Sequence, residues 1–152
     1  MKKLLATTSV LLSLILAGPA LADEPEPVDP GITSGKAARE FKQAREKWLG
    51  WGVSDYRMTV NRSCFCVSPQ EVTVTVRKGK AVRISARPWY GPRTVPAMFR
   101  IIGQAIRQKV PVLNVKYDGR LGYPTQTSID YIALAADDEM GYRISGFRAL
   151  RP

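Results

Sequence analysis

The feature that most constrains the fold is a run of strict alternation near the middle of the chain. Val72, Val74 and Val76 alternate with Glu71, Thr73 and Thr75, so one side of the segment is apolar and the other polar. A period of two is the signature of a strand with one buried face. Lys78-Gly79 follows as a two-residue turn, with Gly79 free to take positive φ, and leads into Val82, Ile84 and Ala86. These residues predict a β-hairpin. Tyr56, Met58 and Val60, alternating with Arg57, Thr59 and Asn61, predict a strand before it.

Two segments carry the helical period instead. Ala37, Phe41, Ala44 and Trp48 recur at intervals of three and four, with Lys36, Arg39, Lys42, Arg45 and Glu46 outside the stripe. They predict a helix from about Lys36 to Leu49, capped by Thr33 or Ser34 and ended by Gly50 and Gly52. Val95, Phe99, Ile102 and Ile106 predict a second, starting near Pro96 and stopped by Pro111. Further strands are expected at 112–117, 125–131 and 142–150, with a Gly122-Tyr123-Pro124 turn between the first two. The order α-β-β-β-α-β-β-β reads as one αβββ unit written twice. The expected class is α+β, a mainly antiparallel sheet of about six strands with both helices on one face.

The N-terminus has the three parts of a cleavable signal peptide over residues 1–22. Lys2 and Lys3 precede the uncharged apolar run Leu4 to Ala17, and Ala20-Leu21-Ala22 is a small-x-small cleavage pattern. The run is shorter than the roughly 20 residues that span a bilayer. Cleavage near Ala22-Asp23 is expected, giving a soluble periplasmic or secreted protein without a transmembrane segment. The proline- and acid-rich stretch DEPEPVDPG predicts a disordered leader over 23–32, followed by a single domain over 33–152.

Charge and composition narrow the function. The net charge of +10 falls to +8 once Lys2 and Lys3 are removed, which favours an anionic envelope component or an envelope protein as partner. Export argues against nucleic acid. The chain has no histidine, which removes Ser-His-Asp and Cys-His catalysis and histidine metal ligation. No cofactor is expected.

Three groups of residues remain as candidates. Cys64 and Cys66, the only cysteines, flank Phe65. In extended chain their Cα atoms stand about 6.5–7 Å apart, at the upper edge of disulfide geometry, so a bridge requires the backbone to tighten. A structural disulfide, free buried thiols and a redox pair are all compatible with the spacing. Ser68-Pro69 suggests a turn nearby. Asp118, Asp130, Asp137, Asp138 and Glu139 are weak calcium candidates if the strands bring them together. The simpler reading is that they cap turns and pair with arginines. Trp89 and Tyr90, with Arg87, Arg93 and Tyr123, are candidates for an exposed aromatic binding loop, whereas Trp48 and Trp51 read as core.

Arg62-Ser63-Cys64-Phe65-Cys66, Val72 to Val82 around Lys78-Gly79, Tyr117-Asp118, Gly122-Tyr123-Pro124, Ile129-Asp130 and Asp137-Asp138-Glu139, closed by Tyr142 and Phe147, resemble the DUF6174 family. That family is a bacterial exported domain of unknown function. The resemblance covers about residues 44 to 149 and implies export and one domain. It implies no activity, and this chain lacks the lipid-attachment cysteine of many members it resembles. The residues point to a non-catalytic binding module using one sheet face and the Trp89-Tyr90 loop. Alternatives are a thiol-redox protein at Cys64 and Cys66 or a calcium-stabilised domain.

Overall fold

The computed structural model describes residues 27–67, 70–133, 135 and 138–151. The expected signal segment 1–22, the expected leader residues 23–26, the expected turn at Ser68-Pro69 and Asp137 lie outside the described residues. A short helix α1 (Pro30–Thr33) and a longer α2 (Lys36–Gly50) precede β1 (Tyr56–Ser63), β2 (Glu71–Arg77) and β3 (Lys80–Ile84). Then come α3 (Val95–Gln108), β4 (Val112–Tyr117), β5 (Pro124–Asp130) and β6 (Met140–Ala149). The six strands form one sheet in the order β3-β2-β1-β6-β5-β4, antiparallel throughout, as the expected α+β class requires.

The alternation read from the sequence sets the burial. Tyr56, Met58 and Val60 of β1 and Val72, Val74 and Val76 of β2 face one way. Tyr142 and Ile144 of β6 and Ile129 of β5 join them, and both helices pack over this layer through Ala44, Trp48, Met98, Phe99, Ile102 and Ala105. Among the described residues no helix covers the opposite face.

The element order repeats, but the two halves do not superpose. In the order β3-β2-β1-β6-β5-β4 the second trio follows the first in the same sense with every strand reversed. The rotation that makes that change turns the sheet over and sends the second helix to the opposite face. Here α2 and α3 share a face.

One end of the structure is closed by aromatic rings from four segments. Trp48 of α2 meets Tyr56 of β1, Tyr123 of the β4–β5 turn and Phe147 of β6 edge-on, at centroid distances of 5.6, 6.5 and 5.8 Å. Phe147 stacks on Tyr56 at 5.2 Å and on Tyr123 at 4.5 Å. The Tyr56 hydroxyl accepts a 2.9 Å hydrogen bond from the Val95 N–H, which ties the start of α3 to β1. Tyr123 is therefore half-buried and packed against the core, not held out in an exposed loop.

Several local expectations are corrected. Asp29, placed by the sequence in the disordered leader, anchors the chain instead. Its carboxylate accepts from Gly31 N and Ile32 N at 2.7 and 3.2 Å and from Leu113 N at 3.0 Å, and α1 follows. Because α1 takes up Thr33, the residue before α2 is Gly35 in a left-handed conformation, not a Thr33 or Ser34 cap. In β3 the register passes from Arg83 opposite Thr75 to Ala81 opposite Val76, so Val82 bulges out and Ala81 replaces it on the inner face. Trp51 is not core but 52% exposed. Its Nε1 donates to Arg120 O at 2.9 Å, and the Arg120 guanidinium lies over its ring.

Gly122 shows how tightly the β4–β5 turn is held against α2. It has φ +79°, and a Cβ there would collide with the carbonyl oxygen of Ala44 and stand 3.0 Å from Lys47 Cβ. Gly122→Ala is expected to cost about 2 kcal/mol or more, from left-handed strain plus the clash. Gly119→Ala, with nothing within 4 Å, is expected to stay within about 0.5 kcal/mol in the same urea titration.

Burial pushes the Tyr56 hydroxyl from its ordinary 10.0 up to about 12, against the smaller opposing effect of the Val95 hydrogen bond. The unfolded chain therefore loses this proton first. The resulting stability is complete below pH 10 and disappears as the pH rises to 12, on the order of 2–3 kcal/mol. Alkaline unfolding followed by circular dichroism should lose that part of its pH dependence in Tyr56→Phe.

Candidate functional site

The two cysteines stand where β1 leaves the sheet. After Ser63 the backbone turns, and the Cys66 N–H donates to Cys64 O at 2.9 Å. This draws the Cα atoms to 5.3 Å, inside disulfide range, and the two sulfurs are bonded. Phe65 between them is 87% exposed, so the pair closes a small projecting loop, not a piece of core.

Beneath this loop, Arg62 continues the inward series of β1 and is buried. Its guanidinium stands 5.5 Å from the Trp89 ring centroid, and its Cα partner across the sheet is Tyr142. Burial raises the Tyr142 hydroxyl, the Arg62 charge pulls it back in part, and Tyr131 adds a further upward push. This group holds a cation against an aromatic face and a phenol that stays neutral near pH 7. The inward series Tyr56, Met58, Val60 pointed to position 62, a signal that the expectation for β1 left unused.

Among the described residues, Asp118 and Asp130 do not converge as a calcium site requires. Asp130 lies opposite Val112 at one end of the β4–β5 pair, while Asp118 follows Tyr117 at the other. Six strand residues separate the two ends, about 20 Å. Each is engaged in its own turn: Asp118 Oδ1 accepts from Arg120 N and Leu121 N, and Asp130 Oδ1 from Ile132 N. Asp138 and Glu139 precede β6. Among the described residues no three metal-ligating side chains stand together.

The aromatic loop divides between interior and surface. Trp89 is only 3% exposed, with its Nε1 donating to Pro92 O at 3.2 Å, whereas Tyr90 is 75% exposed. Arg93 Nη2 donates to Trp89 O at 3.2 Å. Tyr90 and Arg93 line a 680 Å³ groove with Lys80, Thr94, Arg100 and Gln104, on the helical side of the sheet. Arg87 is exposed at the start of the loop. The loop and the uncovered sheet face therefore lie on opposite sides of the molecule.

The uncovered face is cationic. Register sets Arg83, Thr75, Arg57 and Arg148 side by side across four strands, a row about 14 Å long. Glu71, Asn61, Arg143, Gln126 and Lys116 form a second row, and Thr59 and Thr73 lie between the two. Arg57 and Arg148 are direct cross-strand partners, an arrangement of like charges that costs stability. Arg57, Arg83, Arg143 and Arg148 make no ion pair among the described residues, while Arg77 reaches Asp55 at 3.8 Å.

The architecture is an antiparallel sheet with helices on one face and a polar, positively charged surface on the other. Residues 40–149 match the family of unknown function DUF6174, and the chain belongs to that family. No curated protein and no solved structure matches it. No helix among the described residues is long and apolar enough to cross a membrane.

The Cys64–Cys66 bridge closes so short a loop that chain entropy assigns it only about 1–2 kcal/mol. The double variant Cys64→Ser/Cys66→Ser is expected to remain folded, with the unfolding free energy from a urea titration lowered by no more than that amount.

Proposed function

We propose that this protein is an exported, non-catalytic binding module that holds a linear anionic component of the cell envelope across its uncovered sheet face. The observation that carries this reading is the Arg57–Arg148 pair. The two arginines are direct cross-strand partners, and neither makes an ion pair among the described residues; the nearby Asp55 is engaged by Arg77. A ligand with negative groups spaced along its length relieves that repulsion and gains charge-assisted hydrogen bonds. The flanking Thr59, Thr73, Thr75, Asn61, Ser145 and Gln126 are short hydrogen-bonding side chains suited to an extended polar chain. The absence of histidine from the sequence and the engaged carboxylates at Asp118 and Asp130 fit binding better than hydrolysis. The signal sequence supports a location outside the cytoplasm. N-terminal sequencing of the exported protein is expected to begin at Asp23.

Polyglutamate and inorganic polyphosphate are suitable probes, with dextran as the neutral control. Arg148→Glu is expected to weaken polyanion binding at least about tenfold, with a shallower salt dependence. The same change is expected to raise folding stability by a few tenths of a kcal/mol, because it replaces a like-charge pair with an opposite one. Polyanion binding unchanged by Arg148→Glu would refute the reading.

A further inference from the structure

A second site lies on the other side of the molecule. Between α2 and α3, facing away from the sheet, runs an open groove of 540 Å³, within the range of small-ligand sites. Its floor is apolar. Phe41 meets Phe99 edge-on at a 5.8 Å centroid distance, and Trp48 and Leu49 continue the floor along α2. Along α3 it extends from Pro96 to Arg107, about 16 Å at the helical rise.

Gly103 lets the two helices pack closely beneath the groove. A Cβ on Gly103 would stand 3.2 Å from Phe41 Cζ and 3.4 Å from Arg107 Nη1. The Arg107 guanidinium thus lies in the groove, beside the Phe41 ring, and Arg45 and Arg100 add two further cations to its lining. None of the three makes an ion pair among the described residues. The acids of α2 are engaged elsewhere: Glu40 by Lys36 at 3.8 Å and Glu46 by Lys42 at 3.9 Å.

An apolar floor about 16 Å long, edged by three arginines that make no ion pair among the described residues, is complementary to an extended anionic amphiphile. We propose that the groove between α2 and α3 binds a single-chain anionic amphiphile, a fatty acid. Its alkyl chain lies along Phe41, Trp48 and Phe99, and its carboxylate sits among Arg45, Arg100 and Arg107. The site shares no residue with the sheet face of the proposed function and does not depend on it.

The test is calorimetric titration of the purified protein with laurate below its micelle-forming concentration, beside dodecanol and acetate, which carry the chain and the head separately. Saturable one-to-one binding of laurate is expected, with both halves at least about tenfold weaker. The double variant Arg100→Glu/Arg107→Glu is expected to weaken laurate at least about tenfold, with its urea midpoint showing that it remains folded. Arg57→Glu/Arg148→Glu is expected to leave laurate binding unchanged while weakening polyanion binding, so the two sites fail or stand separately. Equal binding of dodecanol and laurate, no effect of the Arg100/Arg107 reversal, or saturation by an acidic amphipathic peptide but not by laurate would each overturn the assignment.

Discussion

The fold depends on the meeting of Trp48, Tyr56, Tyr123 and Phe147. These rings come from α2, β1, the β4–β5 turn and β6, which are distant in sequence, and their edge-on and stacked contacts fix where each element ends. Tyr56 contributes twice, since its hydroxyl also accepts from Val95 at the start of α3. The second helix is thereby placed over the sheet at a defined height. Both grooves along α3 inherit their position from that bond and from the ring cluster behind it.

The two faces of the sheet follow from one alternation but lead to different chemistry. Inward positions of β1, β2, β5 and β6 are filled by aliphatic and aromatic groups, with Arg62 as the charged exception beside Trp89. Outward positions collect arginines, threonines and amides. With no covering layer among the described residues, that surface keeps its charge exposed to solvent, where screening and side-chain length temper the repulsion between Arg57 and Arg148.

Much of the architecture was legible in the sequence. Period-two runs marked β1 and β2, and the helical stripes marked α2 and α3, because each pattern reports only on neighbours along the chain. What failed to show depends on contacts across it. Trp89 and Tyr90 are adjacent and look equivalent, yet one is sealed by Pro92 and Arg62 while the other faces solvent. Val82 had the right spacing, but a bulge took it out of the inner row. Whether the strands bring Asp118 and Asp130 together depends on the antiparallel register, which puts them at opposite ends of their pair. Each outward arginine was visible singly. Only the pairing of β1 with β6 brought Arg57 and Arg148 face to face.

The placement of β6 beside β1 also governs the order of assembly. Strand β1 acquires one neighbour almost at once, from the β1–β2 hairpin. Its other edge stays bare until the ribosome has made Met140–Ala149, many residues later. Until then the nascent chain carries an unpaired strand at what will become the middle of the sheet, an invitation to mispairing. The central seam of the sheet is therefore the last part of it that can close.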